Sequence, residues 1–162
     1  MGYQQLLDRI RKDRRDLLGM SRLIEGMNSH GLDAVIAVSS TNVVYTGGAL
    51  LPTMHSPGHL VFVVTSSDAA QGVVIGEADY GFFASTSWIQ DVRPYPLGKD
   101  LTSANQEAAR RLGKMIQDMG LDGKVGIERS YVPQLYLEAL QKSCPNTQLV
   151  DGTDVFEYAR LV

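Results

Sequence analysis

The three histidines and the single cysteine are the residues best able to hold a metal or attack a substrate near neutral pH. His55 and His59 lie four apart in His55-Ser56-Pro57-Gly58-His59. That spacing puts two imidazoles on one face only in a helix, and Pro57-Gly58 opposes a helix. No cysteine is near, and Asp68 is the one carboxylate between His55 and Glu77, so no zinc site assembles. What remains is a pair of loop histidines that could touch a ligand, weighed against plain solvent-exposed loop residues. His30 falls at a helix C-terminus, where a cationic ring faces exposed carbonyls. Cys144 precedes Pro145 and lacks the neighbouring histidine and helix N-terminus that would activate its thiol, so it reads as structural.

Other chemistries find no residues to carry them. Ser39, Ser40, Ser66 and Ser67 sit in turns, with no Gly-x-Ser-x-Gly elbow. Ser39-Ser40-Thr41-Asn42 follows the first strand where a dinucleotide-binding glycine loop would have to stand. Acidic residues are scattered singly and form no catalytic pair. The residues by themselves assign no catalytic group and no metal ligand.

Length and composition set the frame for these residues. A chain of 162 residues with 44% hydrophobic and 20% charged content can bury one core. The net charge of −3 offers no field for nucleic acid. Arg9, Arg11, Lys12, Arg14 and Arg15 do cluster, but Asp8, Asp13 and Asp16 interleave with them, as on a solvated helix face. One cysteine excludes an internal disulfide. No segment has the pattern of a signal peptide or the length of a membrane span, so neither nucleic acid nor membrane is an expected partner, and a cytoplasmic location is expected.

Periodicity places a helix over 3–30, broken near Gly19, with Gly31 as a left-handed cap and Leu32 folding back onto its last turn. Strands are expected over 35–38, 43–45, 59–65, 73–76, 88–95, 124–128 and 148–150. Between them, a loop spans 47–58 and a short helix covers 77–85. A longer helix runs to Met119, with Ser103 and Gln106 as its capping box. Another helix opens at Ser130 or Tyr131, with Pro133 in its first turn. His30-Gly31-Leu32-Asp33 and Met119-Gly120-Leu121-Asp122 share a helix, Gly-Leu-Asp, strand grammar. The expected fold is α/β: a mixed sheet with helices on both faces, and an antiparallel meander from 59 to 95. The last helix, from Thr153 or Asp154, carries no stop signal before Val162, as if a domain had been cut from a longer protein.

Four segments together resemble the N-terminal domain of the creatinase, prolidase and aminopeptidase P metallohydrolases. Asn42-Val43-Val44-Tyr45-Thr46-Gly47-Gly48 is similar to the family's Asn-x-x-Tyr-Leu-Thr-Gly-Phe. Asn42, Tyr45 and Gly48 match, whereas Thr46, Gly47 and Ala49 depart from Leu, Thr and Phe. Asp91 to Tyr95 resembles an Asp-x-x-x-Tyr strand, and Gly123 to Glu128 a Gly-x-Ile-Gly-x-Glu strand. Arg160 and Val162 fit a closing Leu-Arg-x-Ile-Lys helix that leads into the catalytic domain. The resemblance covers 20–162 and leaves out 1–19.

It implies a three-layer α/β/α domain with a mixed sheet of roughly six strands and a ribonuclease-H-like motif. It divides the chain into an N-terminal helical arm (1–19), a creatinase-type domain (20–152) and the start of a linker helix (153–162). The parent would be a proline-specific hydrolase, an Xaa-Pro dipeptidase or aminopeptidase. Two divalent ions (Mn, Co or Zn) would be bound by Asp, Asp, His, Glu and Glu ligands of an absent C-terminal domain. This chain would then hold no cofactor and be inactive alone. Its expected partners are its own catalytic domain, a second copy in a homodimer, and a peptide or small-molecule substrate. Tyr45, His55 and His59 are the substrate-loop candidates. The alternatives are a creatinase-like amidinohydrolase or other C–N hydrolase, and a scaffold module of a catalytically dead relative.

Overall fold

The computed structural model describes residues 2–17, 19–51 and 58–161. The chain opens with α1 (Tyr3–Leu17), and a break at Gly19 separates it from α2 (Met20–Ser29). Past α2, Gly31 N–H donates to the Asn28 carbonyl (3.2 Å) and Leu32 N–H to that of Met27 (2.9 Å). The same pair of bonds closes α5 (Leu101–Asp118): Gly120 donates to Gln117 (3.0 Å) and Leu121 to Ile116 (3.1 Å). Both are Schellman turns, with φ of 64° and 67° at the glycines. They deliver the chain to β1 (Ala34–Ala37) and β5 (Lys124–Ile127), which pair in parallel with Ala34 opposite Val125. The Gly-Leu-Asp echo is therefore a shared geometry, repeated on two adjacent strands.

The remaining strands are β2 (Phe62–Ser66), β3 (Gln71–Gly76), β4 (Asp91–Tyr95) and β6 (Gln148–Asp151). They complete a six-stranded sheet in the order β4-β3-β2-β1-β5-β6. Only β2 runs antiparallel to its neighbours. The meander expected from 59 to 95 therefore holds for β2 and β3 but not for β4. Helix α4 (Glu77–Thr86) intervenes and returns the chain to pair in parallel with β3, as a crossover connection must.

Alternation along the central strands feeds two cores. Ala34, Ile36, Phe62, Val64, Val125 and Ile127 face α5 and α6 (Gln134–Ser143). Val35, Ala37, Val63, Val73 and Ile75 face the opposite layer, with Leu23 and Met27 of α2, Phe83 of α4 and Phe156 of α7 (Thr153–Arg160). This is the three-layer α/β/α arrangement.

Several local expectations are corrected. Residues 43–45 lie in a helix, α3 (Ser40–Gly47), because its first amides find acceptors that a short strand would lack. Asp100, not Ser103, caps α5, its carboxylate accepting from Ser103 N–H at 2.9 Å. A 3-10 turn (Arg129–Tyr131) precedes α6, leaving Pro133 at the cap rather than in the first turn. Helix α7 spans Thr153–Arg160, and Leu161 is extended (φ −69°, ψ 119°).

Candidate functional site

Helix α3 starts where β1 ends, and its start is held by a side chain from β5's end. Glu128 is buried, 1% exposed. One carboxylate oxygen accepts from the Val38 and Ser39 amides, at 2.7 and 2.8 Å. The other accepts from Ser39 Oγ (2.8 Å) and Asn42 Nδ2 (2.6 Å). Ser39 Oγ in turn accepts from the Asn42 amide, capping the helix. Sequence reading quoted Glu128 only as part of a strand motif. The available signal was an acidic residue ending an apolar strand, with Ser-Ser-Thr-Asn ending the other.

The segment 48–60, of which 52–57 lie outside the described residues, is tied down at both ends. Gly48 has φ 68°, and a Cβ there would stand 2.2 Å from the Trp88 ring, so backbone and indole together require glycine. Trp88 is fixed by its indole N–H on Gln71 Oε1 (2.8 Å), and Gln71 Nε2 donates to the Thr46 carbonyl (2.9 Å). Arg14 of α1 donates to the Gly48 carbonyl at 2.9 Å. At the far end, Asn105 Nδ2 donates to the Gly58 carbonyl (2.7 Å) and Tyr95 Oη to that of Leu60 (2.8 Å). Burial pushes the Tyr95 phenol up to about 12.

Two of the three candidate residues can be placed. His59 lies between the anchored carbonyls of Gly58 and Leu60, and its side chain is exposed. His55 falls outside the described residues. Tyr45 sits on α3, its hydroxyl shared between the carbonyls of Ala159 (3.1 Å) and Gly19 (3.4 Å). Burial raises its phenol above the ordinary range, against the opposing pull of Arg22 and Arg160. Tyr45 thus ties α3 to the start of α2 and the end of α7. The three departures from the family pattern are also buried. Thr46 donates to the Asn42 carbonyl (2.7 Å), Gly47 lies against Phe83, and Ala49 is 2% exposed. They serve packing.

Among the described residues no group of His, Cys, Asp and Glu is arranged to hold a metal. A hollow of 540 Å³ at the sheet's amino edge is lined by Asp33, Asp68, Asp122 and neighbours. Asp33 already accepts from Lys124 N–H (2.8 Å), and Asp68 accepts from Ser66 and Ala70. No described helix is long and apolar enough to cross a membrane.

The sheet and its two helical layers define a three-layer α/β/α domain. The chain belongs to the creatinase/prolidase N-terminal domain family, whose model matches residues 20–162. The N-terminal domain of the cytoplasmic peptidase PepQ from Mycobacterium tuberculosis H37Rv is similar in structure, with 22% identity and a TM-score of 0.66, over 91% of this chain and 98% of that one. The aminopeptidase P (Xaa-Pro aminopeptidase) of Streptococcus thermophilus follows at 17% identity and 0.64, over 92% and 98%. The prolidase of Pyrococcus horikoshii OT3 gives 22% and 0.60 over 88% of this chain, but only 34% of its own length. The chain thus spans about a third of that longer enzyme. None of the curated proteins compared with the chain matches it.

Proposed function

We propose that this chain is the non-catalytic N-terminal domain of a proline-specific metallopeptidase, an Xaa-Pro dipeptidase or aminopeptidase. It contributes dimer contacts and a loop to the substrate site. The family match over 20–162 carries this reading, together with a fold shared with N-terminal domains of Xaa-Pro peptidases. The substrate loop is the segment 48–60, with His55 and His59 as the side chains that approach substrate. His59 supports the assignment: its backbone is pinned on both sides while its ring stays exposed. Tyr45 acts indirectly, since its hydroxyl is engaged by two backbone carbonyls.

On this reading the metal ions, the catalytic groups and the second subunit lie outside the 162 residues, and the protein works in the cytoplasm. The test uses the full-length protein that carries this domain. Replacing His55 and His59 together by Ala is expected to raise KM for Xaa-Pro substrates with little change in dimerisation. Unchanged kinetics with intact dimers would sink the loop assignment. No Xaa-Pro hydrolysis by the full-length protein under any divalent metal would sink the peptidase assignment.

A further inference from the structure

The sheet has two edge strands, β4 and β6, and they are finished differently. On β4 the outward side is closed. Pro94 has no N–H to offer, its carbonyl accepts from Arg111 of α5, and the Val92 N–H turns back onto the Gln90 carbonyl (3.1 Å). Arg93 adds ion pairs to Asp91 and Asp118 on the same strand.

Strand β6 lacks such a finish. Its Gln148 N–H donates to the Gly123 carbonyl (2.9 Å), and the Gly152 N–H donates to that of Ile127 (3.0 Å). Alternate residues 148, 150 and 152 therefore bond inward to β5, while Leu149 and Asp151 turn N–H and carbonyl outward. Among the described residues no group meets those two N–H donors and two carbonyls. Leu149 packs on the core under α5 and α6, and Val150 on the core of the opposite layer, yet both are only half-buried. Both cores are thus open along the same edge.

We infer that β6 is an association edge whose occupant is β6 of a second copy, paired antiparallel about a two-fold axis at Val150. This register sets Leu149 opposite the copy's Asp151, so the outward groups of both residues are used and Val150 meets its own counterpart. The two Asp151 carboxylates stay apart, each across from an apolar side chain. One core continues through the joint by Leu149 and the other by Val150. An unrelated extended peptide would have to supply an apolar residue to each face, whereas a second copy brings both by symmetry. The inference deepens the dimer contact proposed above by naming its surface. It is tested without substrate, so it and the peptidase reading fail separately.

Sedimentation velocity of the 162-residue chain is expected to show a monomer–dimer equilibrium. Hydrogen exchange at the Leu149 and Asp151 amides should slow about tenfold as the dimer fills with rising concentration. Leu149→Lys and Leu149→Glu remove the same packing but put opposite charges across from Asp151. Because the two-fold repeats each pair, the first should tighten the dimer and the second weaken it, each by about tenfold. A chain that stays monomeric up to about 1 mM would overturn the inference. So would a dimer whose Leu149 and Asp151 amides exchange as fast as in the monomer, or Lys and Glu variants that associate alike. If either variant does not fold, exchange at the unmodified chain's two amides carries the test.

Discussion

The two ends of the β1–β5 pair use the same chemistry with unequal consequence. At the amino end Asp33 meets one amide and stands in water. At the carboxyl end Glu128 meets four donors out of water. A hydrogen bond whose loss is made good by solvent contributes little, whereas a buried donor left without an acceptor bears its full desolvation cost. The carboxyl end is thus a fixed joint and the amino end a light one. The segment read as site-forming returns to the sheet at the fixed end, where β2 begins opposite the end of β1.

The largest effect expected is that of Glu128→Ala, a loss of about 3–5 kcal/mol in urea unfolding, because several buried donors lose their acceptor together. A loss below about 1 kcal/mol would erase the contrast between the ends. Gly123→Ala comes next. Its Cβ would fall 1.9 Å from Asp33 Oδ2, forcing the amino-end bond open. The expected cost is about 1–3 kcal/mol, and pairing with Asp33→Ala should recover part of it in a double-mutant cycle.

Tyr95→Phe should cost about 1 kcal/mol at neutral pH by freeing the Leu60 carbonyl, and it should change the alkaline limb of the stability curve. The Tyr95 phenol is raised to about 12 in the folded chain, above the ordinary value of 10. Its contribution is therefore fully present below pH about 10 and lost as pH rises through about 12. The Phe variant should lose stability less steeply over that window in pH-dependent unfolding. Asp33→Ala alone is expected to be the mildest change, about 0.5–1 kcal/mol. A cost equal to that of Glu128→Ala would show that burial is not what separates the two ends.

Much of the frame was legible because its signals are local. Gly31 and Gly120, each after an amphipathic helix and before an apolar strand, disclose both Schellman turns and the parallel pair they serve. Helix α3 was not legible, because Val43 and Val44 favour a strand locally and the deciding carboxylate lies 86 residues beyond Asn42. Similarly, β4 carries the alternation of a strand, but nothing in its own residues gives its direction, which α4 settles. At the candidate site, the position of the segment could be read from its glycines, prolines and histidines. Its anchors could not, since Asn105 and Tyr95 lie far along the chain from Gly58 and Leu60. Tyr45 was singled out as a substrate-loop candidate from its neighbours in sequence. Its hydroxyl partners, from α7 and the α1–α2 break, are remote in the chain and could not be read there.

Trp88 is the chain's single tryptophan, and its ring is stacked on Gly48 at the mouth of the segment. Its indole N–H is tethered and its side chain only partly covered. The chain thereby carries its own optical probe at the joint where α3 ends. Emission wavelength and quenching by iodide would report the environment of Gly48 without a label.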